Sequence, residues 1–327
     1  MKIIKPSVEF LGEIPTDYAG TLAFIEKAGR TCYKSEDKIG CSIKDPQEFT
    51  PDYCAEEGRW DDMNGGDVNC DAGCKYHSAQ KFVKKLIKSE HLAMVENSNF
   101  VVGMVGGILL DFLALQGELG KYLTVHLANG ELHIGGSLTA WINRYNEYVD
   151  DEQPMDDGLF TPFFETYGEL FGRGNEGHDT GWEVCPHDEI PKALHRYSAK
   201  FICDRGVSHE LVRHRPCSFA QESTRYVNYG GKDMEFIEPA GFEEWKEESQ
   251  LYFENLCASS EMSYDRMLGH GLKPQQARAI LPNALKTEII VTADAAEWDH
   301  IHKLRTHPSA HPDMVRVMNM LPWDKII

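Results

Sequence analysis

The sequence predicts a globular fold that mixes helix and strand, on three observations. Of its 327 residues, 42% are hydrophobic and 26% charged, the balance of a chain with an ordinary core and a water-facing surface. Residues 16 to 30 and 78 to 90 carry apolar side chains at helical spacing, with Phe82, Leu86 and Ile87 on one face of the second, so both are expected to be core helices. Tyr122 to Leu127 and Glu131 to Ile134 flank Asn129-Gly130, a pair that favours a two-residue hairpin turn, and Thr139 to Val149 then reads as a short helix.

Composition and charge exclude several classes. The formal net charge of -19, from 33 basic and 52 acidic residues, argues against a nucleic-acid partner, because duplex affinity is built on many Lys and Arg contacts to phosphates. A single nucleotide remains compatible. The Met1-Lys-Ile-Ile-Lys start carries no apolar core of a secretory signal. The longest apolar run, Phe100 to Leu115, is broken by Asp111 and is too short for a bilayer, so no membrane association and a cytoplasmic location are expected. Nine cysteines, an odd number without a regular framework, fit reduced thiols.

Between the first two helices, Glu36 to Tyr76 is acidic and glycine-rich with little periodicity. It contains Cys41, Cys54, Cys70 and Cys74. Four thiolates could hold zinc, but only Cys70 and Cys74 form a close pair, and free thiols in a surface loop are the favoured reading. Asp150 to Asp188 is rich in glycine, proline and acid and is expected to be a long surface excursion. GGSLTAWINRY, from Gly135, is similar to TADAAEWDHIH, from Thr292; both read as strand, turn and a helix with Trp near its start, a possible duplicated element.

The densest chemistry lies in SHELVRHRPCSFAQESTRYVNY. Arg213 and Arg215 flank His214, a fork-donor pair around a ring that can stack or titrate, suited to a phosphate, a carboxylate or the edge of a heterocycle. Ser208 to His214 reads as a helix end, and Pro216 biases Arg215 away from the helical region, which leaves Ser223, Thr224 and Arg225 on an irregular turn. The alternative is a solvated basic helix end paired with surface acids. Ser223 invites a nucleophile reading, but no His-Asp pattern supports it and His214 serves as a base only if the fold brings it near. Arg278, in a helix opened by Pro274, is either a snorkelling surface residue or an anion ligand. Asp294 can cap the next helix, with Glu297 in a capping-box relation, whatever else it does.

Arg-His-Arg, seven residues, then Ser223 closely resembles the signature of flavin-dependent thymidylate synthases, and CDRGVSHELV before it is similar to the same family. A second block, Ala277 to Pro282, then TEIIVTADAAEW, His300, Leu304-Arg305-Thr306 and Ala310-His311-Pro312, resembles the family independently. A third is His91-Leu-Ala-Met-Val-Glu96, preceded by Ala28 to Tyr33. The resemblance covers residues 1 to 36, 77 to 100 and 198 to 320, and it implies a single catalytic domain over 1 to 327 enlarged by insertions at about 37 to 76 and about 100 to 196.

The fold this resemblance implies is α+β, a central, largely antiparallel sheet flanked by helices. The activity it implies is conversion of dUMP to dTMP, with methylenetetrahydrofolate as one-carbon donor and FAD, reduced by NADPH, as hydride source, in a homotetramer. No cysteine nucleophile is required. By motif match, the nucleotide contacts are Glu210, Arg213, Gln221, Glu222, Ser223, Thr224, Arg225, Arg278 and Arg305. The flavin contacts are His91, Ala93, Arg213, His214, Arg215, Gln221, Asp294, Ala295, Ala296 and His300, although a histidine such as His91 also serves in packing. The family commonly has Asn where this chain has Asp294, and often Asn-Glu at Ala220-Gln221. Arg305 corresponds to the family arginine that faces the pyrimidine and is the expected catalytic residue. The departures keep open an alternative, a nucleotide-binding protein that has lost flavin chemistry.

Overall fold

The computed structural model describes residues 1–39, 75–105, 123–128, 130–150, 157–173 and 181–327. Strands β1 (Lys2–Ile4) and β2 (Ser7–Glu13) lead to helix α1 (Tyr18–Tyr33), α2 (Lys75–Lys88) and the single turn α3 (Leu92–Val95). Strands β3 (Phe100–Val105), β4 (Thr124–Ala128) and β5 (Glu131–Gly136) precede helices α4 (Leu138–Asp150) and α5 (Thr161–Tyr167). Then follow β6 (Glu183–Val184), β7 (Arg196–Asp204), α6 (Arg205–Leu211), β8 (Ser218–Gln221), β9 (Glu235–Ile237) and the long α7 (Glu247–Gly269). The chain ends with α8 (Pro274–Ala277), β10 (Lys286–Asp294), α9 (Ala295–Arg305) and α10 (Pro312–Met318). Contacts divide it into two compact units, one of residues 1–12, 30–35 and 197–327 and one of residues 13–29 and 36–196.

In the first unit a four-stranded sheet has the order β2-β7-β10-β8, and β1 pairs in parallel with β9. Seven successive residues of β10, Thr287 to Ala293, are buried, as expected of a strand covered on both faces. Phe201, Val207, Leu211, Ile289, Val291, Trp298, Ile301, Met314 and Val317 form one core. Val207 and Leu211, one turn apart, fix the buried face of α6, while Asp204 caps it by accepting from Val207 N at 2.9 Å.

In the second unit the order is β4-β5-β3-β6, with every pair antiparallel. Its core is aromatic: the rings of Trp141, Phe163 and Tyr167 all lie within 6 Å of the Phe100 ring, centroid to centroid. The predicted hairpin is present, with Gly130 at φ +80° and His126 opposite His133; Asn129 lies outside the described residues.

The two units are built alike. Ser137 accepts from Ala140 N at 3.1 Å and Asp294 from Glu297 N at 2.8 Å, so each begins its helix with a polar cap. Four residues after each cap stands a fully buried Trp. Trp141 Nε1 donates to Phe100 O and Trp298 Nε1 to Tyr197 O, each at 3.0 Å, tying the first helical turn to a neighbouring strand. With the tryptophans aligned, β6-β3-β5-β4 matches β2-β7-β10-β8. Val101 opposite Gly135 then matches Ser198, whose Oγ lies 3.0 Å from Thr292 Oγ1. The sequence likeness around the two tryptophans thus extends to strand order and register. On this alignment Ala140 and Tyr148 stand where the first unit has Glu297 and Arg305.

The expected α+β architecture is present, carried by two four-stranded sheets and their helices. One expectation is corrected. Within Asp150 to Asp188, Leu159, Phe160, Phe163, Tyr167 and Leu170 are buried, so the described residues 157–173 contribute to the core and are not a surface excursion. From Phe160 onward their spacing of three or four residues is helical, and Pro162 is suited to the first turn of α5; the acidic and glycine-rich flanks hid that period in the average composition. Cys41, Cys54, Cys70 and Cys74, with the zinc reading, lie outside the described residues. Cys32, Cys185, Cys203, Cys217 and Cys257 are free thiols. Among the described residues no helix is long and apolar enough to cross a membrane.

Replacing Trp141 by Phe keeps an aromatic ring but removes the only donor aimed at Phe100 O from that side chain. A loss of about 1–3 kcal/mol is expected, read as a lower urea midpoint with unchanged slope.

Candidate functional site

The residues of the Arg-His-Arg segment point in different directions. After α6 ends, His214 N donates to Leu211 O at 3.1 Å and Cys217 N to His214 O at 3.0 Å, a tight turn that stops at Pro216. The turn exposes Arg213 and Arg215 and buries His214 to 5% exposure. The imidazole meets α9 from the far end of the sequence. Its Nδ1 lies 3.2 Å from Glu297 Oε1, its Nε2 accepts from Arg305 Nε at 3.0 Å, and its ring is edge-on to His300 at 5.9 Å.

Arg305 is held on a second side by Glu210. Its Nη1 donates to Glu210 Oε2 at 2.7 Å and its Nη2 to Glu210 O at 3.2 Å. A guanidinium has five N–H groups; three are engaged here among the described residues, which leaves two for a ligand. Burial first, then the Arg305 and His300 charges, push the His214 imidazole down to about 4, so it is neutral at pH 7. Burial raises the Glu297 carboxyl above its ordinary value.

A second group gathers around the turn after β8. Ser223 N donates to Cys32 O at 3.0 Å, and Ser223 Oγ accepts from Arg225 N at 3.3 Å, so the hydroxyl closes its own turn. Among the described residues no histidine is hydrogen-bonded to the Ser223 hydroxyl. Arg278 Nη1 donates to Thr224 Oγ1 at 3.3 Å, and the exposed Arg225 lies over the Tyr226 ring at 5.3 Å. The hydroxyls of Ser223 and Thr224 and the guanidinium groups of Arg225 and Arg278 are groups able to donate to an anion.

Other expected contacts are used within the protein. Gln221 Nε2 donates to Ser208 Oγ at 2.9 Å and to Thr287 Oγ1 at 3.2 Å. Glu222 is buried, accepts from Tyr229 at 2.7 Å and faces Lys34 and Lys286 at 3.8 and 3.6 Å. The Asp294 carboxylate caps α9, whose first residues Ala295 and Ala296 follow it. His91 precedes α3 and Ala93 lies within it, both exposed, in the second unit.

Sequence reasoning missed two features. Glu297 was read only as a capping-box member, and nothing local links it to His214. The other is the lysine cluster around Glu288: Lys200 and Lys286 lie 2.7 Å from its oxygens, and Lys34 pairs with it too. Burial alone would raise the Glu288 carboxyl; the three ammonium groups override it and hold it at about 2. Lys286 and Glu288 share one face of β10, which was the available signal.

A cavity of about 380 Å³ opens beside α6, lined by Asp204, Glu210, Asn283, His311 and Asp313 among others. None of Ser223, Thr224, Arg225 or Arg278 lines it. Burial pushes the thiols of Cys32, Cys185 and Cys257 up to about 11 and that of Cys203 well above the usual range, so none of these four is an activated thiolate.

Residues 193–322 match the family described as "Thymidylate synthase complementing protein". The flavin-dependent thymidylate synthase of Geobacter sulfurreducens is 37% identical over 101 residues, 31% of this chain and 43% of that protein. That of Thermococcus kodakarensis is 34% identical over 145 residues, 43% of this chain and 58% of that protein. The chain thus spans about half the length of the curated relatives it matches. Among solved structures, the UMP/dUMP methylase PolB from Streptomyces cacaoi bound with 5-Br dUMP gives a TM-score of 0.39 at 14% identity, over 100% of this chain and 93% of that one.

The neutral His214 makes stability depend on acid. Between its ordinary value of 6.5 and its folded value of about 4, the unfolded chain takes up a proton that the folded site refuses. Stability is therefore expected to fall as pH drops through that window and to level off below it, with the raised Glu297 carboxyl acting in the opposite sense. Urea midpoints at pH 6.5 and 4.5 should fall less for His214→Gln than for the wild type.

Proposed function

We propose that this chain, whose residues 193–322 carry the thymidylate synthase complementing family's sequence, is a flavin-dependent thymidylate synthase that methylates C5 of dUMP to give dTMP. The observation that carries the reading is the meeting of separate sequence blocks: Glu210 and His214 with Arg305, and Thr224 with Arg278. Residues far apart in sequence form one donor set for a ring and another for an anion.

In this reading Ser223, Thr224, Arg225 and Arg278 bind the dUMP phosphate as donors. The two remaining N–H groups of Arg305 donate to the pyrimidine O2 and to N3 once N3 has given up its proton. Negative charge developing there is stabilised, which makes C5 nucleophilic towards the methylene carbon of methylenetetrahydrofolate. No thiolate is needed, in keeping with the raised thiols. Glu210 holds the guanidinium in place, and Arg213 assists at the nucleotide.

The donor set suits a flavin. Exposed Arg213 and Arg215 offer charge to the electron-rich edge, His214 offers a neutral ring, and Ala295 and Ala296 present backbone N–H groups at a helix start beside His300. FAD, reduced by NADPH, supplies when bound the hydride that completes the methyl group. The chain is read as one catalytic protein with additions at about 37 to 76 and about 100 to 196, assembled as a homotetramer in the cytoplasm. Asp294 and Gln221 spend their side chains inside the protein, which favours, as the second reading, a nucleotide-binding protein without flavin chemistry.

The test is dTMP formation from dUMP, methylenetetrahydrofolate, NADPH and FAD under anaerobic conditions, with an FAD-free control. FAD-dependent product with tetrahydrofolate released is expected; a folded protein that binds dUMP but makes none would support the second reading. Arg305→Ala should lower kcat by about 10²–10³ while the flavin absorbance is retained. Because Ala140 and Tyr148 stand where Glu297 and Arg305 would be needed, calorimetric titration should find one dUMP per chain, not two.

A further inference from the structure

The proton positions around His214 admit one arrangement. Arg305 Nε can only donate, so His214 Nε2, 3.0 Å away, must present its lone pair. A neutral imidazole then carries its proton on Nδ1, and that proton points at Glu297 Oε1, 3.2 Å away. We propose that Glu297 is a positioning residue of the site: its carboxylate holds His214 in the Nδ1–H tautomer, and the Nε2 lone pair so fixed orients the Arg305 guanidinium. This rests on the reading of Arg305 as the arginine that faces the pyrimidine.

The geometry makes Glu297 suited to that role. Its backbone N is tied to the Asp294 cap at 2.8 Å, so the carboxylate starts from a fixed turn. Glu297, Ile301 and Arg305 recur every four residues along one face of α9, and Ile301 is fully buried between the other two. The imidazole, from a turn 83 residues away in sequence, bridges the first and third of them. One rigid helix therefore carries both the group that sets the tautomer and the group that reads it.

A cation is the competing occupant, because the ligand atoms of His214, Glu297 and His300 lie within 4.8 Å of one another. A metal on His214 Nδ1 would move the proton to Nε2 and set it against the Arg305 N–H. Holding Arg305 and holding a metal are therefore exclusive in this arrangement, and the hydrogen bond to Arg305 is the one present.

The test combines a spectroscopic and a kinetic readout on the full-length protein. Histidine imidazoles are labelled with ¹⁵N, the His214 signals are assigned by their loss in His214→Gln, and the tautomer is read at neutral pH without nucleotide. Wild type and Glu297→Gln, which keeps an acceptor oxygen, should both show Nδ1–H; Glu297→Ala should show Nε2–H or a mixture. Glu297→Ala should also lose about tenfold or more in kcat with KM for dUMP changed far less, as expected for one lost bond to an ionised group. Glu297→Gln should recover most of that loss. An Nε2–H signal in the wild type, or Glu297→Ala with Nδ1–H and full kcat, would overturn the proposal. If the wild type makes no dTMP, the functional reading fails, and the tautomer readout still decides the role of Glu297.

Discussion

The first unit depends on the charge balance around Glu288. A buried carboxylate is costly unless opposite charge reaches it, and three lysines do so from separate segments: Lys34 after α1, Lys200 on β7 and Lys286 on β10. Removing the shared carboxylate of Glu288 costs about 3–5 kcal/mol, because the ammonium groups gathered on it are left uncompensated. Lys34 adopts φ +51°, a left-handed conformation that glycine takes more easily. Glycine would relieve that strain but bring no ammonium group to Glu288.

The same cluster holds the turn after β8 in place. Glu222 N donates to Glu288 O, Ser223 N donates to Cys32 O, and the Glu222 carboxylate lies beside Lys34 and Lys286. The segment that presents Ser223, Thr224 and Arg225 is thus pinned by backbone and side chain before any ligand arrives. In a chain of net charge -19, Arg225 on this turn and Arg278, which donates to Thr224, are both exposed.

What was legible in the sequence was local. The Asp294 cap, the hairpin around Gly130, the end of α6 before Pro216 and the helix carrying Arg305 each depend on a few adjacent residues. The misses involve long separation. His214 and Glu297 are 83 residues apart, and a capping-box reading already gave Glu297 a sufficient local reason to be there. Lys34 reaches Glu288 across 254 residues, and no periodicity announces such a pair. The buried aromatics from Phe160 to Tyr167 were misread because average composition outweighed spacing.

The likeness of the two units separates scaffold from chemistry. In both, a polar cap starts a helix and a buried Trp four residues on donates to a strand carbonyl. That joint requires only the cap, the indole N–H and the strand, so it persists in the second unit beside Ala140, which has no carboxylate to position. The Trp bond therefore serves the fold in both places, and in the first unit the same helix also carries Glu297 and Arg305 on a largely buried flank. Ala140 and Glu297 occupy the residue just before the tryptophan, where the backbone is already fixed. A substitution at that position changes what the helix offers to a neighbouring ring while leaving in place the bond that holds the helix.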